Sequence, residues 1–312
     1  MKCWIVTEGM AGTENQCLGV SEALGIPAQI KRIALREPWK TFSPILKFET
    51  ARTFDPPLTG PWPDLLIASG RKSIAASRFI KRASKGKTFT VQIQDPRFSP
   101  SDFDLVAVPE HDPTRGKNVI VTAASPNRIT QEKLSAAREK FHQFENLKNP
   151  RVAVLIGGDS KSHRLTQPIM EKLAGQLKNL DAGLMVTASR RTGRENEEIL
   201  KQALSGTDAF VWDGTGENPY FGMLAWADYI LVTSDSASML SDAGTTGKPV
   251  YMVALDGGSP RLDRLHKNLE NRGITRPFEG RLESWSYEPL RDSSKIADEI
   301  KKRLAGHLDT QM

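Results

Sequence analysis

The stretch ADYILVTSDSASMLSDAGTTGKPVYMV, residues 227–253, decides the fold. Its first apolar run, 229–233, shows no polar alternation, which marks a strand buried on both faces. Small polar residues at 234–238 then open a helix-like segment, and Gly247-Lys248-Pro249 closes it before a second apolar run. Strand, polar turn, helix and strand in that order make a βαβ unit with parallel strands. The turn itself is unusual. Ser234, Asp235, Ser236 and Ser238 gather hydroxyls and a carboxylate where the strand hands over to the helix.

The same grammar runs along the chain. Short apolar runs followed by polar or Gly-containing turns recur as CWIVT, AQIKRI, DLLIAS, FTVQIQ, DLVAV and NVIVT, then as RVAVLIGG, GLMVTAS, AFVWDG, YILVTS and PVYMVA. Between the two groups lies REKFHQFENLKNPR (138–151), a polar helical stretch ending in Asn-Pro, which reads as a boundary. The pattern predicts an α/β protein of two doubly wound, Rossmann-like parallel sheets, over 1–147 and 150–289, facing a cleft.

Ligands of open parallel sheets sit outside the carboxyl ends of the strands, so the turns there are the candidate site. At the head of a helix the backbone amides lack partners and the dipole favours an anion. Ser234, Asp235, Ser236, Ala237 and Ser238 therefore read as a diphosphate seat, although N-capping alone explains any one of them. Asp242, four residues past Ser238, lies on the same helix face one turn on, where a carboxylate can accept the two hydroxyls of a ribose. SRRTG (189–193) adds Ser189, Arg190 and Arg191 at a strand end, cations suited to phosphate. Gly157 and Gly158, right after another strand, give room for a ligand or simply a tight turn, and Asn218 and Tyr220 lie beside the same mouth, where Tyr220 equally suits packing. Neither a G-x-G-x-x-G fingerprint nor a P-loop is present, which disfavours dinucleotide redox chemistry and P-loop hydrolysis.

In the first half, a Gly-rich turn carrying Gly9, Gly12 and Asn15 is a candidate acceptor loop. Glu110, His111 and Asp112 form the richest acid/base cluster, with His111 the first candidate base and Asp95 and Glu110 in reserve. A His satisfied by a neighbouring carboxylate explains that cluster equally well. REPWKTFSPILKF (36–48) places Trp39, Phe42, Ile45 and Leu46 at helical spacing among basic residues. It suits an anionic membrane, a lipid-linked acceptor, or burial against the first sheet.

The bulk numbers set bounds. A formal charge of +6 suits anionic partners, yet no Lys/Arg block with interleaved aromatics points to nucleic acid. The five His lack metal-ligand spacing, so no metal and no cofactor are expected. SDFDL (101–105) has an acid-x-acid spacing but reads as a strand lead-in. Two cysteines, Cys3 and Cys17, imply no disulfide framework. The apolar run of MKCWIVTEGM is too short for a signal peptide, which suggests a cytoplasmic location, with peripheral contact at the inner face of the membrane as an option.

The segment SDSASMLSDAGTTGKPV (234–250) resembles, without a gap, the donor-binding stretch of UDP-N-acetylglucosamine 2-epimerase, and peptidoglycan N-acetylglucosaminyltransferase has a related strand–turn–helix. The resemblance implies the GT-B fold, a UDP-linked sugar as ligand, and a closing helix, 290–312, that crosses back to the first domain. IQDPR, FDLVAVPEHD, RVAVLIGG, TASRRTG, ENPYFGMLAWADYILVTSDSASMLSDA and TGKPVY, in that order, are similar to the "elongated mitochondria" fission family, whose bacterial members carry a nucleoside-diphosphate-sugar epimerase label. Asp242 stands where a Glu is expected and Gly193 where a Pro is expected. Three readings follow: a metal-independent glycosyltransferase, a non-catalytic scaffold recruiting a protein partner at a membrane, and an epimerase. The scaffold reading comes from the plant member, which recruits a dynamin-related GTPase to the outer membrane.

Overall fold

The structure is a computed structural model that describes residues 1–309, with side chains through residue 307. The twelve main strands run β1 Cys3–Thr7, β2 Ala28–Arg32, β3 Leu65–Ser69, β4 Phe89–Ile93, β5 Leu105–Pro109, β6 Val119–Thr122, β7 Arg151–Ile156, β8 Gly183–Ala188, β9 Ala209–Val211, β10 Tyr229–Thr233, β11 Val250–Val253 and β12 Thr275–Pro277. They form two six-stranded parallel sheets. One has the order β2-β1-β3-β4-β5-β6, the other β9-β8-β7-β10-β11-β12. Eleven strands coincide with apolar runs read from the sequence. The residues of the central strands are enclosed on both faces because helices cover both, so their hydrophobic runs are continuous rather than alternating, while the edge strands β2, β6 and β9 are only partly buried.

The helices are α1 Ala11–Leu24, α2 Ser73–Ala83, α3 Gln131–Lys140, α4 Gln167–Lys178, α5 Arg194–Leu204, α6 Tyr220–Trp226, α7 Ala237–Thr245, α8 Pro260–Asn271 and α9 Asp292–Asp309. In the first unit, Ile5, Ile67, Val91 and Leu105 of the sheet pack with Cys17 and Val20 of α1 and Ile296 and Ile300 of α9. Trp4, Val6 and Leu66 face the other way, onto Phe79 and Ile80 of α2. The second unit buries Val154, Val186 and Leu231 against Met170, Leu173 and Leu200. Each fully buried aliphatic side chain of this kind contributes about 1.5–3 kcal/mol of transfer free energy.

The chain divides into Met1–Arg128 with the segment from Arg291 onward, and Ile129–Leu290. The boundary therefore falls earlier than the 147–150 read from the sequence, and α3 goes with the second unit. The reason is packing: Arg138 of α3 sits 4.0 Å over the Trp226 ring of α6, and Trp226 Nε1 donates to the Arg138 carbonyl at 3.0 Å. The closing helix lies on the first unit. Asp292 accepts from the Ala123 and Ala124 amides, both at 2.9 Å.

The 36–48 segment departs from its helical spacing. Only Trp39–Phe42 makes a single turn, and Phe42 and Ile45 are exposed rather than buried against the sheet. In SDFDL, Asp104 bonds Thr90 and Lys81, a strand lead-in as read. Cys3 and Cys17 are buried free thiols.

Candidate functional site

The first strand of the second sheet, β7, has β8 on one side and β10 on the other, so the chain changes direction across the sheet there. At such a switch point the turns leaving the central strands diverge and leave a crevice. The turn after β7 is Gly157-Gly158, and the turn after β10 is Ser234-Asp235-Ser236. One network locks them together. Thr233 Oγ1 accepts from the Gly157 amide at 2.7 Å and donates to Asp235 Oδ1 at 2.7 Å. The Gly158 amide donates to Asp235 Oδ2 at 3.2 Å, and the Arg191 guanidinium pairs with that oxygen at 2.7 Å. Arg191 also donates to the Gly158 and Asp159 carbonyls at 3.3 and 3.2 Å. Ser189 and Thr192 hydroxyls close the third side on the Gly157 carbonyl, at 2.9 and 2.5 Å.

The two glycines are there to let this clamp shut. A Cβ on Gly157 would lie 2.3 Å from Asp235 Oδ1, and one on Gly158 2.0 Å from the Arg191 carbonyl. Of the two readings of Gly157 and Gly158, the close approach favours the tight turn over room for a ligand. Asp235 is corrected too: its carboxylate is wholly enclosed, so it holds the turn and presents no oxygen outward. Arg191 is spent largely on the same task. Arg190, beside it, is exposed and makes no hydrogen bond or ion pair among the described residues.

On this platform stands α7. Ser236 is its N-cap, the hydroxyl accepting from the Met239 amide at 3.3 Å. Ser234 is occupied twice: its hydroxyl accepts from the Leu255 amide at 3.1 Å, and its carbonyl from His266 Nε2 at 2.8 Å. Ser238 differs, being half-buried in the first turn with a hydroxyl that has no partner among the described residues. Ala237 beside it leaves the backbone accessible. The first amides of any helix lack intrahelical acceptors, so this end of α7 offers free donors and a positive field.

Asp242, further along α7, accepts from the Tyr220 hydroxyl of α6 at 2.8 Å. Burial pushes its carboxyl up from 3.8 to about 7, with the Tyr220 hydrogen bond pulling the other way. Burial first, and the Asp242 charge second, push the Tyr220 hydroxyl up as well. Asn218 is exposed and its side-chain oxygen accepts from the Tyr220 amide at 3.0 Å, fixing the start of α6. Gly193 has φ +84°, a backbone that proline cannot adopt.

The first unit disposes of its candidates differently. Helix α1 already begins at Ala11, so Gly12 and Asn15 are residues of its first turns rather than of a loop. The Gly9 amide donates to Thr7 Oγ1 at 3.1 Å. His111 is buried, its Nε2 3.9 Å from Asp112 Oδ1. Asp95 accepts from the Arg97 amide at 2.7 Å and Thr114 Oγ1 at 2.6 Å, which shapes its own loop. Glu110 is exposed. Among the described residues there is no cluster of three or more His, Cys, Asp or Glu placed to hold a metal ion, and no helix long and apolar enough to cross a membrane.

Reading the sequence alone misses His266, which holds the Ser234 carbonyl, and the hydroxyls of Thr192 and Thr233. For His266 no local signal exists. It reaches the turn from α8, 32 positions downstream.

Solved structures with the same fold include MurG of Acinetobacter baumannii, at 12% identity, TM-score 0.52, covering 98% of this chain and 93% of that one. UDP-GlcNAc 2-epimerase from Methanocaldococcus jannaschii matches at 14% and TM-score 0.51, over 97% and 100%. MnaA of S. aureus, in a co-structure with UDP, matches at 13% and TM-score 0.51, over 98% and 90%. These likenesses establish a GT-B-like pair of Rossmann-like units. In sequence, the chain is 28% identical over 287 residues to uncharacterized protein RP120 of Rickettsia prowazekii (strain Madrid E), covering 77% of this chain and 79% of that protein. It is 32% identical over 275 residues to mitochondrial fission protein ELM1 of Arabidopsis thaliana, covering 78% of this chain and 64% of the plant protein's length. The mitochondrial fission ELM1 family pattern matches residues 11–304, and the chain belongs to that family.

Proposed function

We propose that the second unit binds a nucleoside-diphosphate sugar, UDP-linked, with its diphosphate on the head of α7 and its ribose toward Asp242. The observation that carries this is the division of labour among the serines. Ser234 and Ser236 hold the turn, while the Ser238 hydroxyl is left over at a helix N-terminus on a locked switch point. Exposed Arg190 adds a cation at the end of the neighbouring strand. The UDP named with MnaA, and the UDP-GlcNAc in the name of the archaeal epimerase, support the choice of nucleotide.

The reaction in this reading is glycosyl transfer. The bond between the anomeric carbon and the β-phosphate oxygen breaks, and the departing diphosphate keeps the electron pair, stabilised by the α7 amides and Arg190. An acceptor hydroxyl bonds the anomeric carbon and yields its proton to a base. Among the sequence candidates Glu110 is exposed, Asp95 half-buried and His111 buried. The enclosure of His111 and the engagement of Asp95 favour a second reading, a protein that keeps the nucleotide site without turnover.

Thermal unfolding with and without UDP tests the site. A ligand of the folded state raises Tm by mass action. In Ser238→Asp, the new carboxylate favours the helix head but repels a diphosphate. The expected result is a saturable rise in the wild type, and an unliganded Tm at or above wild type with no UDP response in the variant. A UDP response retained in Ser238→Asp would remove the diphosphate from α7.

A further inference from the structure

We infer that residues 42–48 of the first unit form a docking surface for an anionic lipid bilayer. This stands apart from the nucleotide reading and survives its failure. Phe42, Ile45 and Phe48 expose 56%, 71% and 83% of their surface, three large apolar side chains within seven residues. Exposed clusters of this kind mark interaction sites. Between 38 and 48 the segment contains no acidic residue and two lysines, Lys40 and Lys47, both exposed and without an ion-pair partner among the described residues. Glu37 just before it is engaged by Thr41. Apolar tips bracketed by unpaired cations complement a bilayer with anionic headgroups, in which rings enter the acyl boundary while ammonium groups stay at the phosphates. A protein partner with an acidic apolar groove would need a defined shape, whereas these side chains only protrude.

The display is held rigidly from beneath. Glu49 is buried and pairs with Arg78, whose Nε donates to it at 3.0 Å and which also donates to the Pro44 and Leu46 carbonyls at 2.8 and 2.9 Å. Arg82 donates to the Glu49 carbonyl. From the far side, Arg71, just past β3, donates to the Ser43 carbonyl at 2.9 Å. Phe48 is held at φ +67°, an uncommon conformation for a bulky residue, and its ring is nonetheless left outside. Met10 and Phe98, also exposed, follow β1 and β4 at the same carboxyl end of the sheet.

The test is flotation of the full chain with vesicles of phosphatidylcholine, with or without phosphatidylglycerol. The wild type should float with the anionic vesicles, increasingly so at low salt, and hardly at all with the neutral ones. Replacing Phe42, Ile45 and Phe48 by Ser should cut partitioning more than about tenfold. Lys40→Gln and Lys47→Gln should each cut it about fivefold. All five side chains are exposed, and an unchanged Tm confirms that the variants fold. No flotation of the wild type, or equal flotation of the triple variant, overturns the proposal. Loss of UDP binding elsewhere leaves it intact.

Discussion

The two sheets have the same kind of switch point and treat it in opposite ways. In the first unit the crevice after β1 and β3 is filled by the protein's own amides. Gln16 Oε1 accepts from the Ser69 hydroxyl at 2.8 Å and from Gln94 Nε2 at 2.9 Å, and Gln92 Nε2 reaches the Gly70 carbonyl at 3.2 Å. Its rim is tied by Lys72–Glu8 and Arg32–Glu14 ion pairs, each at 2.7 Å. In the second unit the polar network lies under the turns and locks them, and the helix head above it stays open. Polar residues at strand ends thus carry little meaning by themselves. What matters is whether neighbours have already used their hydrogen-bonding capacity.

The comparison can be broken at three points. The largest effect is expected at Gly157→Ala, because the added methyl meets a buried carboxylate that cannot retreat. It should cost more than about 3 kcal/mol in urea unfolding. A loss below about 1 kcal/mol would mean the clamp is loose. Next comes Asp242. Its raised carboxyl binds a proton more tightly folded than unfolded, so its ionisation removes stability as pH rises from 3.8 to about 7. Asp242→Asn should therefore be more stable than wild type by about 1–2 kcal/mol near pH 8, a figure reduced because Asp242 keeps part of its surface in water, and lose the advantage near pH 4. Binding of a UDP-sugar, whose diphosphate has no group titrating near neutrality, should tighten through about pH 7 in wild type and stay flat in the variant. A flat wild-type profile would take the ribose away from Asp242. The smallest effect is expected in the first unit: Ser69→Ala should cost about 1 kcal/mol and leave the UDP response unchanged.

Much of this is legible from residues alone. Apolar runs give eleven strands, and in the central ones they are continuous because both faces of each sheet are covered there. Strand β12 escapes notice since three edge residues ending in Pro277 carry no periodicity. The unit boundary is misplaced because the pull of Trp226 on Arg138 crosses 88 positions. Ser234, Ser236 and Ser238 look alike in sequence. Only the donors brought by Leu255 and Met239 tell the used hydroxyls from the free one. Asp235 and Arg191 both lie at the turns, but their attraction is for each other. The 36–48 segment misleads through its spacing, since helical periodicity does not say which side of a segment is water.

The most direct test of the central claim is to follow backbone amide resonances of the isotopically labelled protein while UDP is added. The account predicts large, saturable shifts at Ala237 and Ser238, weaker ones around Asp242, and none at Gly9 or Gly70. Shifts confined to the first unit, or none at all, would contradict it.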